Sequence, residues 1–116
     1  MPIVITSLGA ARCAFEDVVG FVAGHTKASP NAVLAGSVPY LMMAGTTVAG
    51  WQMARALMAA EDALAAPQAD TDLAFMHAKI ATARFYGDHI LNKVAAQRDS
   101  IVEGSESVTA LALESF

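Results

Sequence analysis

The longest stretch of the chain without a formal charge lies between Lys27 and Arg55. Large and small apolar side chains are mixed in it, so a helix formed there would be apolar on most sides and would let other backbones approach closely. Proline is tolerated in the first turn of a helix but breaks or kinks its interior. Because Pro39 interrupts the stretch, the pattern predicts a short helical piece over Asn31–Ser37, a kink, and a continuous helix to about Ala65.

The segment before this stretch also has helical spacing. A hydroxyl of Thr6 or Ser7 can accept a hydrogen bond from a first-turn amide, which predicts a helix from there to about Gly24. Arg12 and Glu16 lie one turn apart and can pair on its exposed face. The apolar residues with this spacing are Leu8, Ala11, Phe15, Val18 or Val19, and Val22.

The clearest periodicity follows Asp70 or Thr71, either of which can cap a helix that extends to Glu103. Its apolar and small residues step alternately by three and four, which is typical of the seam of an antiparallel bundle. Gly104 suits the left-handed position just past a helix end. The seam positions are Leu73, Met76, Ile80, Ala83, Gly87, Ile90, Val94, Gln97 and Ile101.

After Gly104, Ser105 can cap a short last helix that carries Val108, Leu111 and Leu113. No alternating pattern competes for a strand. The sequence therefore predicts one all-α domain over residues 1–116, an up-down helical bundle of three long helices with a short C-terminal helix.

Composition narrows the function classes. Hydrophobic residues make up 55% of the chain and charged residues 16%, which indicates that some apolar surface is intended for a partner. A net charge of −4 with 7 basic residues excludes nucleic acid as the expected partner, because that requires a basic surface. One cysteine, Cys13, fits a reducing compartment, and with no leader pattern at the N-terminus we expect the cytoplasm.

A membrane span is the alternative interpretation of the uncharged stretch, which is long enough to cross a bilayer. Pro39, Gln52 and the Thr46–Thr47 pair lie within it. The predicted third helix also offers an apolar seam of matching length, as a soluble bundle requires. We therefore expect no membrane partner.

Candidate chemistry is sparse. A di-metal bundle needs Glu-x-x-His pairs, and none of His25, His77 and His89 has a glutamate three residues before it, so no metal site is expected. Cys13 is interpreted as a buried or edge thiol. Trp51 could stack on a ligand, but a single tryptophan in an apolar helix is expected in the core. No Gly-rich phosphate loop follows a predicted strand.

The segment Phe75–Leu91, with the sequence Phe-Met-His-Ala-Lys-Ile-Ala-Thr-Ala-Arg-Phe-Tyr-Gly-Asp-His-Ile-Leu, resembles the acetyl-CoA dehydrogenase C-terminal-like helical module. That module closes the long acyl-CoA dehydrogenases of the 3-methylmercaptopropionyl-CoA dehydrogenase type. The resemblance covers roughly residues 28–116, and the first helix fits it by pattern. It is also carried by Pro39-Tyr-Leu, Gly45, Gly50-Trp51, Ala54-Arg55-Ala56 and the closing segment Ile101–Leu111.

The resemblance implies that flavin and the catalytic glutamate belong to preceding dehydrogenase domains, so that FAD is expected in a parent enzyme and no cofactor in this fragment. It implies an excised C-terminal accessory domain that is inactive alone, with no catalytic and no cofactor-binding residue at the matching positions. Its expected partners are the preceding domains and further copies of the chain in a homo-oligomer. The alternative is a stand-alone helical dimerisation or interaction module.

One segment offers a weaker catalytic alternative. Val102-Glu103-Gly104-Ser105 is similar to the Ile-Tyr-Glu-Gly-Thr segment that holds the catalytic glutamate in many acyl-CoA dehydrogenases. A glutamate shielded by flavin and thioester can act as a base. Because no Gly-rich catalytic segment or flavin-binding domain precedes it, we expect Glu103 to be a solvated last-turn residue.

The surplus of apolar residues leads to a further expectation. Three long helices and one short helix cannot surround the second helix completely, so some of the Met42, Met43, Val48 and Met58 side chains should remain uncovered in a monomer. A two-fold dimer would bury them most simply.

Overall fold

The computed structural model describes residues 2–116, with side chains described from Val4 onward. Within those residues every regular element is helical, which confirms the all-α class. Two 3₁₀ turns, Leu91–Lys93 and Leu113–Ser115, accompany the helices. The helices are α1 (Pro2–His25), α2 (Pro30–Ala35), α3 (Ser37–Ala65), α4 (Leu73–His89), α5 (Val94–Val102) and α6 (Ser105–Thr109).

The first helix starts earlier than predicted. It begins at Pro2, so Thr6 and Ser7 lie within it and not at its N-cap. The predicted surface pair is confirmed, because Arg12 Nε lies 2.8 Å from Glu16 Oε1. The helix ends at His25, one residue beyond the predicted end.

The predicted break before Pro39 is confirmed at Gly36. Proline occupies the third position of α3, inside the first turn, where no intrahelical N–H is lost. A β-carbon on Gly36 would lie 2.9 Å from Ile101 Cγ2 and 3.3 Å from Ile101 Cα. Ile101 of α5 therefore packs so closely on the α2–α3 junction that a β-carbon at residue 36 would require Ile101 to shift.

The cap of α4 is one residue away from the predicted candidates. Asp72 Oδ1 accepts a hydrogen bond from the Phe75 amide at 3.0 Å. Thr71 serves the preceding turn, where its hydroxyl accepts from the Gln68 amide at 2.9 Å. The expectation that Asp70 or Thr71 caps this helix was therefore wrong.

The predicted continuous helix to Glu103 was also wrong, because α4 ends at His89 and a 3₁₀ turn precedes α5. Asn92 Nδ2 donates to the carbonyl oxygen of Asp88 at 2.7 Å. That oxygen is the one an uninterrupted α-helix would give to the Asn92 amide. A side-chain donor of this kind competes with the backbone amide for its acceptor, and this one coincides with the interruption of the helix.

The break changes which residues enter the core. Leu91, absent from the predicted seam, is buried, whereas Leu73 at the seam's first position is half exposed. The core consists of two clusters of buried side chains, and α1 contributes to both. One comprises Ala11, Val18, Met43, Leu91, Val94 and Ile101, and the other Val4, Ala54, Leu57 and Ala83.

The end of the chain differs from its prediction. Gly104 has φ −90°, so it does not occupy a left-handed position. Glycine is required there for another reason, since a β-carbon would lie 2.5 Å from the Ser100 carbonyl oxygen. Helix α6 ends at Thr109, and Leu111 and Leu113 lie beyond it, exposed.

The chain is elongated. Its radius of gyration is 19.0 Å and its extents are 70 × 28 × 20 Å, whereas a compact domain of this length would have a radius of gyration of about 13 Å. Its accessible surface is 7558 Å², against about 6,000 Å² expected for a monomer of this mass. No helix among the described residues is long and apolar enough to cross a membrane.

Candidate functional site

Helix α3 carries exposed as well as buried apolar side chains. The inner side of α3 buries Met43, Gly50, Ala54, Leu57 and Ala60. Elsewhere around α3, six large apolar residues, together called here the outer α3 face, are each at least 46% exposed. These are Val38, Leu41, Met42, Val48, Trp51 and Met58.

The exposure of Trp51 corrects the expectation that it belongs to the core, since its side chain is 52% exposed. The Arg55 guanidinium lies over its ring, 5.4 Å from the centroid. Of the methionines and valine expected to be uncovered, Met42, Val48 and Met58 are exposed, but Met43 is fully buried. Met43 points inward because it lies seven residues, two helical turns, before the buried Gly50.

A shallow groove of about 270 Å³ separates this face from α1. Its lining residues are Leu8, Arg12, Thr47, Val48 and Trp51. Arg12 is held at the rim by Glu16, and that hydrogen bond raises the pKa of the guanidinium. The groove is an apolar depression with one already paired cation at its edge.

Two further grooves lie elsewhere. One of about 240 Å³ between α3 and α4 is walled by four alanines together with Phe75, Met76 and Lys79. The other, of about 290 Å³, lies between α1 and the α4–α5 connection and includes Thr6, Ser7 and Asn92 but no lysine or arginine. None of the three offers the cluster of backbone amides at a glycine-rich turn that binds a flavin pyrophosphate, so these grooves do not fit FAD.

Tyr86 joins α4 to the middle of α3. Its hydroxyl donates to the Thr46 carbonyl oxygen at 2.8 Å. Burial raises the pKa of the phenol above its ordinary value, because the charged phenolate is disfavoured where water is excluded. This hydrogen bond links α4 to the part of α3 that also carries the outer α3 face.

Glu103 is exposed at the C-cap of α5. Its carboxylate lies 3.4 Å from Arg98 Nη1, and Arg98 also contacts Asp99 at 2.8 Å and Asp17 of α1 at 3.5 Å. The hydrogen bond that Arg98 donates to the Asp99 carboxylate raises the pKa of the guanidinium. The structure thus places Glu103 in a surface ion-pair network, and no described groove adjoins it.

Two of the three histidines contact aromatic rings on their own helices. His25 stacks on Phe21 with ring centroids 4.5 Å apart, and His89 lies 4.6 Å from Phe85. Among the described residues no group of three potential ligands could hold a metal ion. Cys13 is an exposed free thiol.

Comparison with known proteins identifies the family. The model described as "Acetyl-CoA dehydrogenase C-terminal like" matches residues 2–112. The chain belongs to this family. The match includes α1, which the sequence resemblance had fitted by pattern only. No solved structure matches the chain.

A curated relative gives the same assignment. Over 106 residues the chain is 34% identical to a protein named 3-methylmercaptopropionyl-CoA dehydrogenase from Ruegeria pomeroyi. The alignment covers 91% of this chain but 18% of the relative. Most of the relative's length therefore has no counterpart among these 116 residues.

Sequence reasoning missed two features around this site. Leu91 was not assigned to the core, and its signal was weak because the predicted seam placed Ile90 inward instead. The exposure of Trp51 was also missed. The charge-free segment around it was visible, but periodicity alone does not show which side of an apolar helix its neighbours cover.

Proposed function

We propose that this chain is the C-terminal accessory domain of a flavin-dependent acyl-CoA dehydrogenase, and that it is catalytically inactive alone. The parent chain would oxidise the Cα–Cβ bond of an acyl-CoA thioester to a double bond, as part of fatty acid or related acyl-CoA metabolism in the cytoplasm. Bound FAD supplies the hydride acceptor for that oxidation. The accessory role consists of contacts with the preceding dehydrogenase domains and with other subunits.

The observation that carries this proposal is that the alignment covers 91% of this chain but 18% of the relative. A family match over residues 2–112 and a relative of which the chain spans 18% support a part of a longer enzyme. The three described grooves, which do not fit a flavin, support placing the cofactor in the remainder of the parent. The exposure of Glu103 beside Arg98 supports a surface role, since a catalytic glutamate requires shielding.

The test has two arms. In the first, the 116-residue chain is mixed with FAD and acyl-CoA thioesters, including 3-methylmercaptopropionyl-CoA, and flavin fluorescence and dye reduction are followed. We expect no stoichiometric flavin and no reduction. A yellow protein that bleaches with acyl-CoA would overturn the proposal and make Glu103→Gln the next variant to measure.

In the second arm, the reading frame that encodes the chain is sequenced upstream of Met1. We expect an open frame of several hundred further codons, whose product binds FAD and reduces dye with an acyl-CoA. A stop codon immediately upstream would favour the second candidate function, a stand-alone helical interaction module. The observation that favours this candidate is the exposed apolar outer α3 face.

A further inference from the structure

We propose that, in the parent enzyme, the segment that leads into Pro2 packs into an open groove between α3 and α4 beside the start of α1. This inference rests on the proposed function, because only a longer parent chain supplies such a segment. It specifies where the preceding domains first contact this one. The groove, called here the α1-side groove, is formed by Met58, Glu61 and Ala65 of α3 and by Leu73 and His77 of α4.

The directions of the helices decide where the groove lies. Phe15 of α1 stacks on Tyr40 of α3, whereas the earlier Val4 belongs to one buried cluster with the later Leu57. Helices α1 and α3 are therefore antiparallel. Because α3 and α4 form a hairpin, the end of α3 and the beginning of α4 both lie beyond the N-terminal end of α1.

Helix α1 covers only part of this hairpin. Val4 is buried with Leu57 of α3 and Ala83 of α4. Helix α3 continues from Leu57 to Ala65, and α4 begins at Leu73. The hairpin therefore extends about 12–15 Å beyond the level of Val4, and α1 begins two residues before Val4.

The spacing along α4 places Leu73 on the side that α1 covers further along. Leu73, Ile80 and Gly87 follow one another at intervals of seven residues, which is close to two helical turns. Ile80 packs against the buried cluster of Val4, and the β-carbon position of Gly87 lies 3.4 Å from Val4 Cγ2. Leu73 has the same orientation but is 49% exposed, so its place in the groove is open.

The spacing along α3 gives the other wall. Met58 and Glu61 lie seven residues after Trp51 and Ala54. Trp51 lines the groove beside α1, and Ala54 is buried with Val4. Met58 is 46% exposed, whereas Glu61 is half-buried and makes no hydrogen bond or ion pair among the described residues. An unpaired carboxylate beside apolar walls favours an occupant that carries a cation as well as apolar side chains.

Connectivity identifies the occupant. The matched family is described as C-terminal, and the chain spans 18% of the relative, so in the proposed parent the preceding domains join α1 at the end beside the groove. A tethered segment has a high effective concentration at a neighbouring surface. Proline suits the first turn of a helix and biases the residue before it away from helical dihedrals. The segment is therefore expected as extended chain, of which about four or five residues span 15 Å.

The test measures how fast introduced cysteines react with a maleimide in the 116-residue chain and in the full-length product of the upstream reading frame. Mass spectrometry of the peptide that carries each thiol separates it from other cysteines. Met58→Cys and Leu73→Cys report the two walls. We expect both to react at least about tenfold more slowly in the parent, because a covered thiol reacts only in transiently opened molecules.

Val108→Cys is the matched control. Val108 is 66% exposed on α6, which packs against α2 at the other end of α3, and we expect its rate to be the same in both proteins. Equal slowing at residue 108 would mean that the parent covers the chain generally and would overturn a specific contact. Slowing at one wall alone would overturn the groove as the site.

The remaining outcomes separate this inference from the proposed function. Unchanged rates for Met58→Cys and Leu73→Cys in a parent that binds FAD and oxidises an acyl-CoA would overturn this inference alone. A stop codon immediately upstream would reject the proposed function and the segment together. A rate that falls as the concentration of the isolated chain rises would assign the groove to a second copy and would also overturn the inference.

Discussion

The side chain of Leu91 occupies the space that a β-carbon on Gly50 would need. A methyl group at residue 50 would lie 2.6 Å from Leu91 Cδ2 and 3.1 Å from Leu91 Cγ. Both residues are buried, so the leucine has little room to withdraw. This contact joins the middle of α3 to the connection between α4 and α5, where the helix periodicity is interrupted.

We therefore expect Gly50→Ala to be less stable than Gly20→Ala by about 1–3 kcal/mol, the usual cost of overpacking. Both substitutions improve helix propensity by roughly 1 kcal/mol, and Gly20 has no atom within 4 Å of its β-carbon position. The gain in helix propensity is therefore the same in both variants and cancels when their unfolding free energies are compared. Urea unfolding followed by circular dichroism at one fixed protein concentration measures the difference, and equal stabilities would mean that Leu91 moves aside freely.

Gly87 of α4 lies where α4 packs closely against α1. Its β-carbon position lies 3.4 Å from Val4 Cγ2 of α1, which leaves space for a methyl group but not for more. We expect Gly87→Ala to be neutral or stabilising by up to about 1 kcal/mol. Gly87→Leu should lose about 1–3 kcal/mol or more. A leucine variant that melts at or above the wild-type temperature would show that α1 does not pack there.

The cap of α4 offers a paired test within one short segment. Asp72→Ala removes the hydrogen bond to the Phe75 amide and should cost about 0.5–2 kcal/mol of unfolding free energy. Asp70→Ala is the control, since Asp70 makes no side-chain hydrogen bond among the described residues. Thermal melts measure the loss of stability in each variant. A larger loss for Asp70→Ala would show that Asp70 caps α4, as the sequence suggested.

These contacts show how far the sequence alone could lead. Helical periodicity and proline placement predicted the α2–α3 break and the existence of α1, α3 and α4, because both are local properties of the chain. The end of α4 was missed because the apolar spacing continues past His89, whereas the backbone changes to a 3₁₀ turn at Leu91–Lys93. Trp51 was misplaced because its exposure depends on which side of α3 the other helices cover.

Alkaline titration of Tyr86 gives a prediction with a defined sign. Its pKa is raised by burial in the folded chain, so above the ordinary tyrosine value near 10 the folded state holds its proton longer than the unfolded state. Stability from this group is complete below that pH and is lost as the pH rises through the folded pKa. Because the chain has two tyrosines, a Tyr40→Phe background isolates Tyr86 for titration by tyrosinate absorbance.

We expect Tyr86→Phe to remove this alkaline loss and to cost about 0.5–1.5 kcal/mol at neutral pH through the hydrogen bond to Thr46. Tyr40→Phe should cost less, since the Tyr40 ring stacks on Phe15 and its hydroxyl makes no hydrogen bond within the described chain. An unchanged alkaline melting profile in Tyr86→Phe would show that another group dominates at high pH.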